Sequence, residues 1–165
     1  MPTTMADVRE FLNQRRIAFV GVSRDPKNFS RMLFREMCNQ GYDMVPVNPA
    51  ASELESKPCF RRVQDIDPPV EGALIMTPAR DTEGVVRDCA EAGIRRVWMY
   101  RGGGQGAVTK EAAGLCHQKG IALVEGYCPF MFLPGTPFFH RVHGLVLKLI
   151  GGYPGKVQES AHSTL

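Results

Sequence analysis

The turn after the first strongly apolar segment carries residue types that bind anions. Residues 17–22 are apolar throughout, and a polar loop separates them from a predicted helix that begins at Asn28. The loop and helix start consist of Gly21, Val22, Ser23, Arg24, Asp25, Pro26, Lys27, Asn28, Phe29 and Ser30. Gly21 lets the backbone approach a ligand, Ser23 offers a hydroxyl, and the amides of residues 28–31 would favour an anion by about 0.3–1 kcal/mol. Since two cations lie in the same loop, the pattern predicts a phosphate site.

The loop departs from the two common glycine-rich nucleotide motifs. The dinucleotide motif requires further glycines where this chain has Ser23 and Pro26, and an acidic residue where the second strand ends at Asn48 and Pro49. The chain also lacks a G-x-x-x-x-G-K-[ST] segment. NAD binding and simple nucleotide hydrolysis are therefore disfavoured. A crevice that takes NADP, with Arg24 on the 2′-phosphate, stays open as an alternative.

Short apolar segments alternate with helical ones along most of the chain. Strands are predicted at residues 17–22, 43–47, 72–76, 94–100 and 121–124. Helices are predicted at residues 28–40, 79–92 and 108–119, after a first helix capped by Thr4 and Asp7. Right-handed crossovers between such strands give a parallel sheet with helices on both faces. The predicted fold class is α/β, with a doubly wound, five-stranded, Rossmann-like sheet and a C-terminal helical extension.

Ligands of open parallel sheets bind at the carboxyl ends of the strands, beside the point where the strand order reverses. The loops at that edge are the ones that could hold a ligand. They are residues 21–28, 48–51, 77–80, 101–106 and 125–129. The long connection at residues 50–70 contains three prolines, so we expect one helical turn near residues 63–65 and otherwise irregular chain.

The composition of the chain changes after the fifth predicted strand. We expect one domain at residues 1–128 and an extension at residues 129–165, with a Pro- and Gly-rich apolar loop, a helix at residues 138–150 and a disordered tail. Residues 130–133 and 138–139 are apolar enough to form a contact between subunits, which predicts a homodimer through the extension. The alternative is that this segment folds back over the sheet of its own chain.

Composition and charge narrow the class of protein. The 165 residues suffice for one domain with a short appendage, and 20 Lys and Arg face 17 Asp and Glu without a basic run longer than two residues. This pattern is not typical of a nucleic-acid-binding protein. No apolar run approaches the roughly 20 residues of a membrane span, and residues 1–7 do not form a secretory signal. We expect a cytoplasmic protein with no nucleic-acid and no membrane partner.

The cysteines and histidines do not follow metal-ligand spacings. The five cysteines are widely spaced and form no C-x-x-C pair, which disfavours a disulfide scaffold and a structural zinc site. His140 and His143 fall three residues apart on the predicted last helix, but no third ligand accompanies them. No metal site is predicted.

Two motifs early in the chain resemble one known family. They are residues 17–27, Ile-Ala-Phe-Val-Gly-Val-Ser-Arg-Asp-Pro-Lys, and residues 41–49, Gly-Tyr-Asp-Met-Val-Pro-Val-Asn-Pro. At this spacing they are similar to the small stand-alone CoA-binding domain proteins, whose Rossmann-like module also forms the CoA-binding domain of the succinyl-CoA synthetase α subunit. The resemblance covers about residues 5–130. Supporting matches lie at residues 63–66, 77–78, 97–99 and 128–129.

The resemblance implies that CoA binds in the crevice at the carboxyl ends of the strands. Gly21 and Ser23 would meet its phosphates, and Lys27 with the following helix start would hold anionic groups. The corner at residues 48–49 would lie near the adenosine, and the loop at residues 77–78 would line the crevice. The residues expected to contact the ligand are Gly21, Val22, Ser23, Arg24, Lys27, Ser30, Asn48, Pro49, Thr77, Pro78 and Cys128.

Cys128 is the thiol that this resemblance brings near the pantetheine end of CoA. A cysteine in that place could form a mixed disulfide with the cofactor. The commoner role of a free cysteine is that of a small apolar filler in a buried loop. The sequence is compatible with both roles.

The predicted function is non-catalytic binding of CoA or an acyl-CoA, a small nucleotide ligand. No Ser-His-Asp set and no pair of catalytic carboxylates falls on the strand-end loops. All four histidines fall on predicted helices or in the tail; they are His117, His140, His143 and His162. Two alternatives stay open. One is a CoA-dependent transferase or ligase-like enzyme with Cys128 or Glu125 as working group, and the other is an NAD(P)-binding protein that uses the same crevice.

Overall fold

The computed structural model describes residues 2–102 and 105–135, and in these residues five parallel strands form a central sheet. The strands in this part of the chain are β1 (Arg16–Val20), β2 (Asp43–Val47), β3 (Glu53–Leu54), β4 (Lys57–Pro58), β5 (Gly72–Ile75), β6 (Arg96–Met99) and β7 (Ala122–Glu125). The central sheet has the order β2-β1-β5-β6-β7, and each neighbouring pair is parallel. Strands β3 and β4 form a separate antiparallel hairpin.

Within the described residues, four α-helices cover the two faces of this sheet. They are α1 (Met5–Leu12), α2 (Phe29–Asn39), α3 (Ala79–Glu91) and α4 (Lys110–Gln118). Helices α1 and α2 bury Phe11 and Leu33 against one face, and α3 and α4 bury Val86 and Leu115 against the other. This arrangement confirms the predicted α/β, doubly wound, Rossmann-like sheet.

Burial on both faces explains the composition of the central strands. In β1, Ile17 and Phe19 belong to the apolar cluster under α1 and α2, whereas Ala18 and Val20 belong to the cluster under α3 and α4. Because neither face of the sheet is exposed to water at β1, the sequence of this strand is a continuous apolar run and not an alternation of apolar and polar residues.

The helix starts follow from local sequence. Thr4 caps α1 as predicted, since its hydroxyl accepts a hydrogen bond from the Asp7 amide at 3.3 Å and its own amide donates to the Asp7 carboxylate at 2.7 Å. Thr109 caps α4, where its hydroxyl accepts from the Ala112 amide at 3.0 Å. The predicted start at residue 108 therefore moves to the residue after this cap.

The predicted strands agree with the structure in position but not always in length. Strand β2 spans residues 43–47 as predicted. Strand β1 ends at Val20 and not at residue 22, because the chain turns at Gly21, whose φ is +89°. Strand β6 begins at Arg96 and ends at Met99, so the predicted range of residues 94–100 was too long at both ends.

The connection at residues 50–70 holds more regular structure than predicted. The helical turn at Val63–Asp65 is confirmed, but the β3–β4 hairpin was not predicted. The hairpin turns at Glu55 and Ser56, which have φ values of +52° and +57°. Asn-Gly or Asp-Gly is the usual mark of such a turn, and neither is present here. Beyond the hairpin, Phe60 forms a parallel bridge to the end of β2, which brings the connection to the carboxyl edge of the sheet.

The segment after β7 folds back over the face that α1 and α2 cover. Phe130 and Leu133 are buried there, and the rings of Phe132 and Trp98 lie 5.8 Å apart between centroids. The interpretation of residues 130–133 as an exposed contact between subunits is therefore wrong, because this stretch completes the core of its own chain.

Several predictions fall outside the described residues. They are the helix at residues 138–150, the Phe138-Phe139 pair, the His140 and His143 pair and the disordered tail. The domain boundary at residue 128 and the homodimer also stay predictions. In residues 2–102 and 105–135, no helix is long and apolar enough to cross a membrane. No group of three or more His, Cys, Asp or Glu side chains in that part of the chain could hold a metal ion.

Candidate functional site

A cleft of about 300 Å³ opens at the carboxyl ends of β1, β2 and β5. From β1 the chain crosses by way of α2 to β2 on one side, and the later strands lie on the other side. The cleft therefore lies at the switch point of the strand order, where the sequence predicted a ligand. Its lining residues are Val20, Gly21, Val47, Asn48, Pro49, Arg61, Arg62, Val63, Thr77, Pro78, Asp81, Val85 and Asp88.

A larger depression of about 610 Å³ lies elsewhere, along the start of β7 and beside α1 and α4. Its lining includes Thr4, Asp7, His117 and residues 120–123. This position is away from the carboxyl ends of the strands, where parallel sheets bind ligands. We therefore take the smaller cleft as the candidate site.

Gly21 forms the closest approach of two backbone segments at the cleft. A Cβ atom added to Gly21 would lie 2.9 Å from the carbonyl carbon and oxygen of Met76 and 2.9 Å from the Thr77 nitrogen. Its φ of +89° is also in the left-handed region. The first loop can thus lie against the end of β5 only because residue 21 has no side chain.

Apolar side chains form most of the walls of the cleft. They are Val20, Val47, Pro49, Val63, Pro78 and Val85. The Asn48 side chain is already engaged, because its Nδ2 donates to the Val22 carbonyl at 2.8 Å and its Oδ1 accepts from the Ala50 amide at 2.8 Å. Asn48 therefore joins the end of β2 to the first loop.

Arg62 and Asp88 form an ion pair at one side of the cleft. Arg62 donates to the Asp88 carboxylate from Nη2 at 2.8 Å and from Nε at 3.3 Å, and Gln64 donates to it at 2.8 Å. Burial raises the pKa of Asp88, but the hydrogen bonds from Arg62 and Gln64 outweigh it, so the pKa lies below its ordinary value. Asp88 in turn raises the pKa of Arg62.

Arg61 is the cation of the cleft that its neighbours leave uncompensated. Its side chain is exposed, and within residues 2–102 and 105–135 it makes no hydrogen bond and no ion pair. The remaining carboxylate of the cleft, Asp81, lies in the first turn of α3 with the Arg80 Nε 3.8 Å away. A ligand phosphate would find its free positive charge at Arg61.

The loop at residues 21–28 uses most of its amides internally. The Ser23 amide donates to the Ser30 hydroxyl at 2.9 Å, and the Asp25 amide donates to the Ser23 hydroxyl at 3.1 Å. The Lys27 amide donates to the Asp25 carboxylate at 2.9 Å. Within this loop the Arg24 amide makes no hydrogen bond, and the exposed side chains of Arg24 and Lys27 have no partner among the described residues.

The start of α2 also differs from the sequence-based expectation. The amides of residues 28–31 were expected to face an anion, but Asn28 donates to the Asp25 carbonyl and Arg31 to the Asn28 carbonyl. The Ser30 amide donates to the Asn28 side chain at 2.9 Å. The helix start is thus closed by its own cap, and the expectation is wrong for these three amides.

Cys128 lies apart from the cleft, in the apolar cluster under α1 and α2. Burial raises the pKa of its thiol to about 11, against a hydrogen bond with the Phe130 backbone that lowers it. Tyr100 belongs to the same cluster, and burial raises its pKa to about 12. A thiol in this environment is protonated at neutral pH, which favours the filler interpretation of Cys128 over the reactive one.

The structure brings together about half of the predicted contact residues. Those that line the cleft are Gly21, Asn48, Pro49, Thr77 and Pro78. Those that do not line it are Val22, Ser23, Arg24, Lys27, Ser30 and Cys128. The side chain of Val22 is buried in the core, and the Ser30 hydroxyl accepts a hydrogen bond from the Ser23 amide of the first loop.

Sequence reasoning missed the charged residues of the cleft. They are Arg61, Arg62, Asp81 and Asp88. The signal available for the first two was a pair of arginines just before the helical turn at residues 63–65, in a connection that must return to the sheet. The two aspartates lie seven residues, or about two turns, apart on α3, and this spacing matches no sequence motif.

The family model described as "CoA binding domain" matches residues 15–134, which is most of the chain. This chain belongs to the CoA-binding domain family. The resemblance inferred from the motifs at residues 17–27 and 41–49 is thereby confirmed.

Individual relatives of this CoA-binding domain protein agree with the family match. The uncharacterized protein YneT of Bacillus subtilis is 28% identical over 124 residues, which cover 74% of this chain and 89% of that protein. The alpha subunit of the ADP-forming acetate–CoA ligase II of Pyrococcus furiosus is 27% identical over 125 residues, which cover 72% of this chain. This chain spans only 27% of the length of that subunit.

Among solved structures, this CoA-binding domain is similar to a hypothetical protein from Pyrococcus horikoshii OT3. The TM-score is 0.70 at 26% sequence identity, and the match covers 75% of this chain and 85% of the other. The similarity extends over most of both chains, so it concerns the whole sheet and not a single motif.

Proposed function

We propose that this chain binds CoA or an acyl-CoA in the cleft between β1, β2 and β5 and catalyses no reaction there. The observation that carries the proposal is the cleft itself, which combines apolar walls with a free cation at Arg61 in a member of the CoA-binding domain family.

The adenine fits the apolar part of the cleft. Ligand pockets in proteins usually measure about 300–1,000 Å³, so this cleft of about 300 Å³ suits one part of CoA and not the whole molecule. Pro49, Val63, Pro78 and Val85 are apolar lining groups that can pack on a flat ring. The phosphates and the pantetheine then extend outside the cleft.

The phosphates meet side chains more than backbone amides. Because the amides of Ser23, Asp25 and Lys27 are engaged within the loop, the groups left for an anion include the amides of Val22 and Arg24 and the side chains of Arg24 and Lys27. Arg61 supplies a further positive charge at the cleft. Charge-assisted hydrogen bonds of this kind are roughly twice as strong as neutral ones.

The chemistry of the cleft supports binding over catalysis. The pKa of Asp88 lies below its ordinary value beside Arg62, so this carboxylate is a weak base. The Thr77 hydroxyl lies 3.2 Å from the Thr82 hydroxyl and next to no histidine of the described residues. A ligase or transferase reaction would need groups from outside this cleft.

The experiment is a comparison of thermal unfolding in the presence of CoA, acetyl-CoA, NADPH and ATP. At a hundredfold excess over its dissociation constant, the specific ligand stabilises the fold by roughly 2.7 kcal/mol. We expect CoA or acetyl-CoA to raise the midpoint and NADPH and ATP to leave it nearly unchanged. A shift with NADPH and none with CoA would overturn the proposal.

A matched pair of variants tests the place of binding. Val85→Phe fills the cleft, whereas Val108→Phe makes the same substitution at a partly buried position that does not line it. We expect the first to weaken CoA by about tenfold or more and the second to leave its affinity within twofold. Equal affinities of the two variants for CoA would exclude this cleft as the adenine site.

A further inference from the structure

The β3–β4 hairpin places a glutamate where the backbone disfavours it. Glu55 and Ser56 both have a left-handed φ, at +52° and +57°. Turns of this kind normally carry Asn, Asp or Gly, because other side chains crowd the following carbonyl in that conformation. An unfavourable residue type at such a position indicates that its side chain has a role beyond the turn.

The carboxylate of Glu55 binds two arginines of α2. Its Oε1 accepts from the Arg31 Nε at 2.8 Å and from the Arg35 Nη2 at 2.7 Å, and the Arg31 Nη2 also donates to it. The side chain of Arg31 is only 9% exposed. The hydrogen bond from Arg35 is the largest cause that lowers the pKa of Glu55, and Arg31 adds to it, so the carboxylate is ionised at neutral pH.

The same arginines hold the first loop by its carbonyl oxygens. The Arg31 Nη1 donates to the carbonyls of Ser23 at 3.2 Å and Arg24 at 3.1 Å. The Arg35 Nη1 donates to the Pro26 carbonyl at 3.0 Å. Two guanidinium groups thus join one carboxylate to three carbonyls of the loop whose cations, Arg24 and Lys27, face the solvent.

We propose that Glu55 is a positioning residue of the first loop: it fixes Arg31 and Arg35 so that residues 23–27 keep the conformation that receives ligand phosphates. Glu55 touches no ligand itself and does not line the cleft. The inference rests on the proposed function, because it needs the loop to contact the phosphates of CoA. If the ion pair were purely structural, it would stabilise the whole fold, and removing the Glu55 carboxylate would affect the loop no more than the sheet.

The test removes the carboxylate with a residue that suits the turn. Glu55→Asn keeps a side chain that tolerates left-handed φ, and Glu55→Gln keeps the size of the original side chain as a second variant. Glu53→Asn is the control, since Glu53 is an exposed carboxylate of the same hairpin with no hydrogen bond in the described residues. Arg24→Ala/Lys27→Ala removes the cations that the loop presents.

Isothermal titration with CoA gives the first readout. We expect Glu55→Asn to weaken CoA by about tenfold and Glu53→Asn to leave it within twofold. Because Glu55 acts through the loop, adding Glu55→Asn to the Arg24→Ala/Lys27→Ala protein should cause little further loss. Wild-type affinity in both Glu55 variants, or an equal loss in both backgrounds, would overturn the inference.

Amide hydrogen exchange gives a readout that does not depend on CoA. The amides of Ser23, Asp25 and Lys27 are hydrogen-bonded within the loop, so their exchange reports its order. We expect about tenfold faster exchange of these amides in the Glu55 variants, with the amides of β1 unchanged. If CoA fails to bind the wild-type protein, the proposed function fails, and unchanged loop exchange would separately refute the role of Glu55.

Discussion

The backbone of Gly21 lies against that of Thr77 so closely that a Cβ atom at position 21 would stand 2.9 Å from the Thr77 nitrogen. Two loops that leave neighbouring strands, β1 and β5, are thereby held together at the mouth of the cleft. The contact forms part of the cleft lining, and it requires that residue 21 has no side chain.

Gly21→Ala should therefore destabilise the fold strongly. The new methyl group meets backbone atoms that cannot turn away, and the left-handed φ adds strain, so we expect a loss of about 2–4 kcal/mol in urea unfolding. Gly41→Ala is the matched control, because Gly41 has a φ of +92° but nothing within 4 Å of its added Cβ. It should cost only the strain, about 1–2 kcal/mol. Equal losses in the two variants would contradict the close approach.

Arg61→Ala should weaken ligands that carry a phosphate next to the adenosine. Losing one charge-assisted hydrogen bond costs about 1.5 kcal/mol, which corresponds to roughly a tenfold weaker affinity for CoA. Calorimetry with CoA and with dephospho-CoA, which lacks the 3′-phosphate, measures the contribution of that group. We expect the preference of the wild-type protein for CoA to disappear in the variant.

Arg9→Ala controls for the loss of charge in that comparison. Arg9 is an exposed arginine of α1, on the face of the sheet away from the cleft. Its removal should leave the affinities for both ligands unchanged. If Arg61→Ala lowers the affinities for CoA and for dephospho-CoA equally, Arg61 does not contact the 3′-phosphate.

The Arg62–Asp88 pair should make part of the stability depend on pH. Since the pKa of Asp88 is lower in the folded protein, the pair contributes stability above the ordinary pKa of an aspartate, and this contribution is lost as pH falls through the lowered value. Urea unfolding between pH 7 and pH 3 should therefore show a smaller acid-induced loss in Asp88→Asn than in the wild-type protein. Glu53→Gln should retain the full loss. Parallel curves for Asp88→Asn and the wild type would refute the coupling.

Cys128 should react slowly with thiol reagents near neutral pH. With its pKa raised to about 11, only about one thiol in a thousand is ionised at pH 8, and the ionised form is the nucleophile. Labelling with iodoacetamide, followed by peptide mass spectrometry, should show a rate that rises about tenfold per pH unit up to pH 10. Rapid labelling at pH 7, or a disulfide of Cys128 with CoA in the protein as purified, would contradict this assignment.

The parts of the fold that were predicted correctly from the sequence are determined by residues close to one another in the chain. The Thr4–Asp7 capping box and the limits of β2 follow from residue types within a few positions. The hairpin at Glu55 escaped prediction because its turn lacks the glycine or asparagine that usually marks one. The alternation of short apolar segments with helical segments, in contrast, was sufficient to predict a parallel sheet with crossover helices, since right-handed crossovers leave few other arrangements.

The site was predicted less completely because its charges come from distant segments. Arg62 meets Asp88 only after Phe60 has joined the end of β2 and α3 has packed beside it. The closure of the first loop was missed for a different reason. The Ser30 amide was expected to face an anion, but it donates to the Asn28 side chain, and the Ser30 hydroxyl accepts a hydrogen bond from the Ser23 amide.

Trp98 has a practical consequence of its own. It is the single tryptophan of the chain, it is fully buried, and its Nε1 donates to the Tyr127 carbonyl at 2.9 Å. The rings of Phe11 and Phe132 lie at 5.3 Å and 5.8 Å from it, on the face opposite the cleft. Its fluorescence is therefore a built-in optical probe for the docking of the chain beyond β7, and detachment of that stretch would shift the emission to longer wavelength.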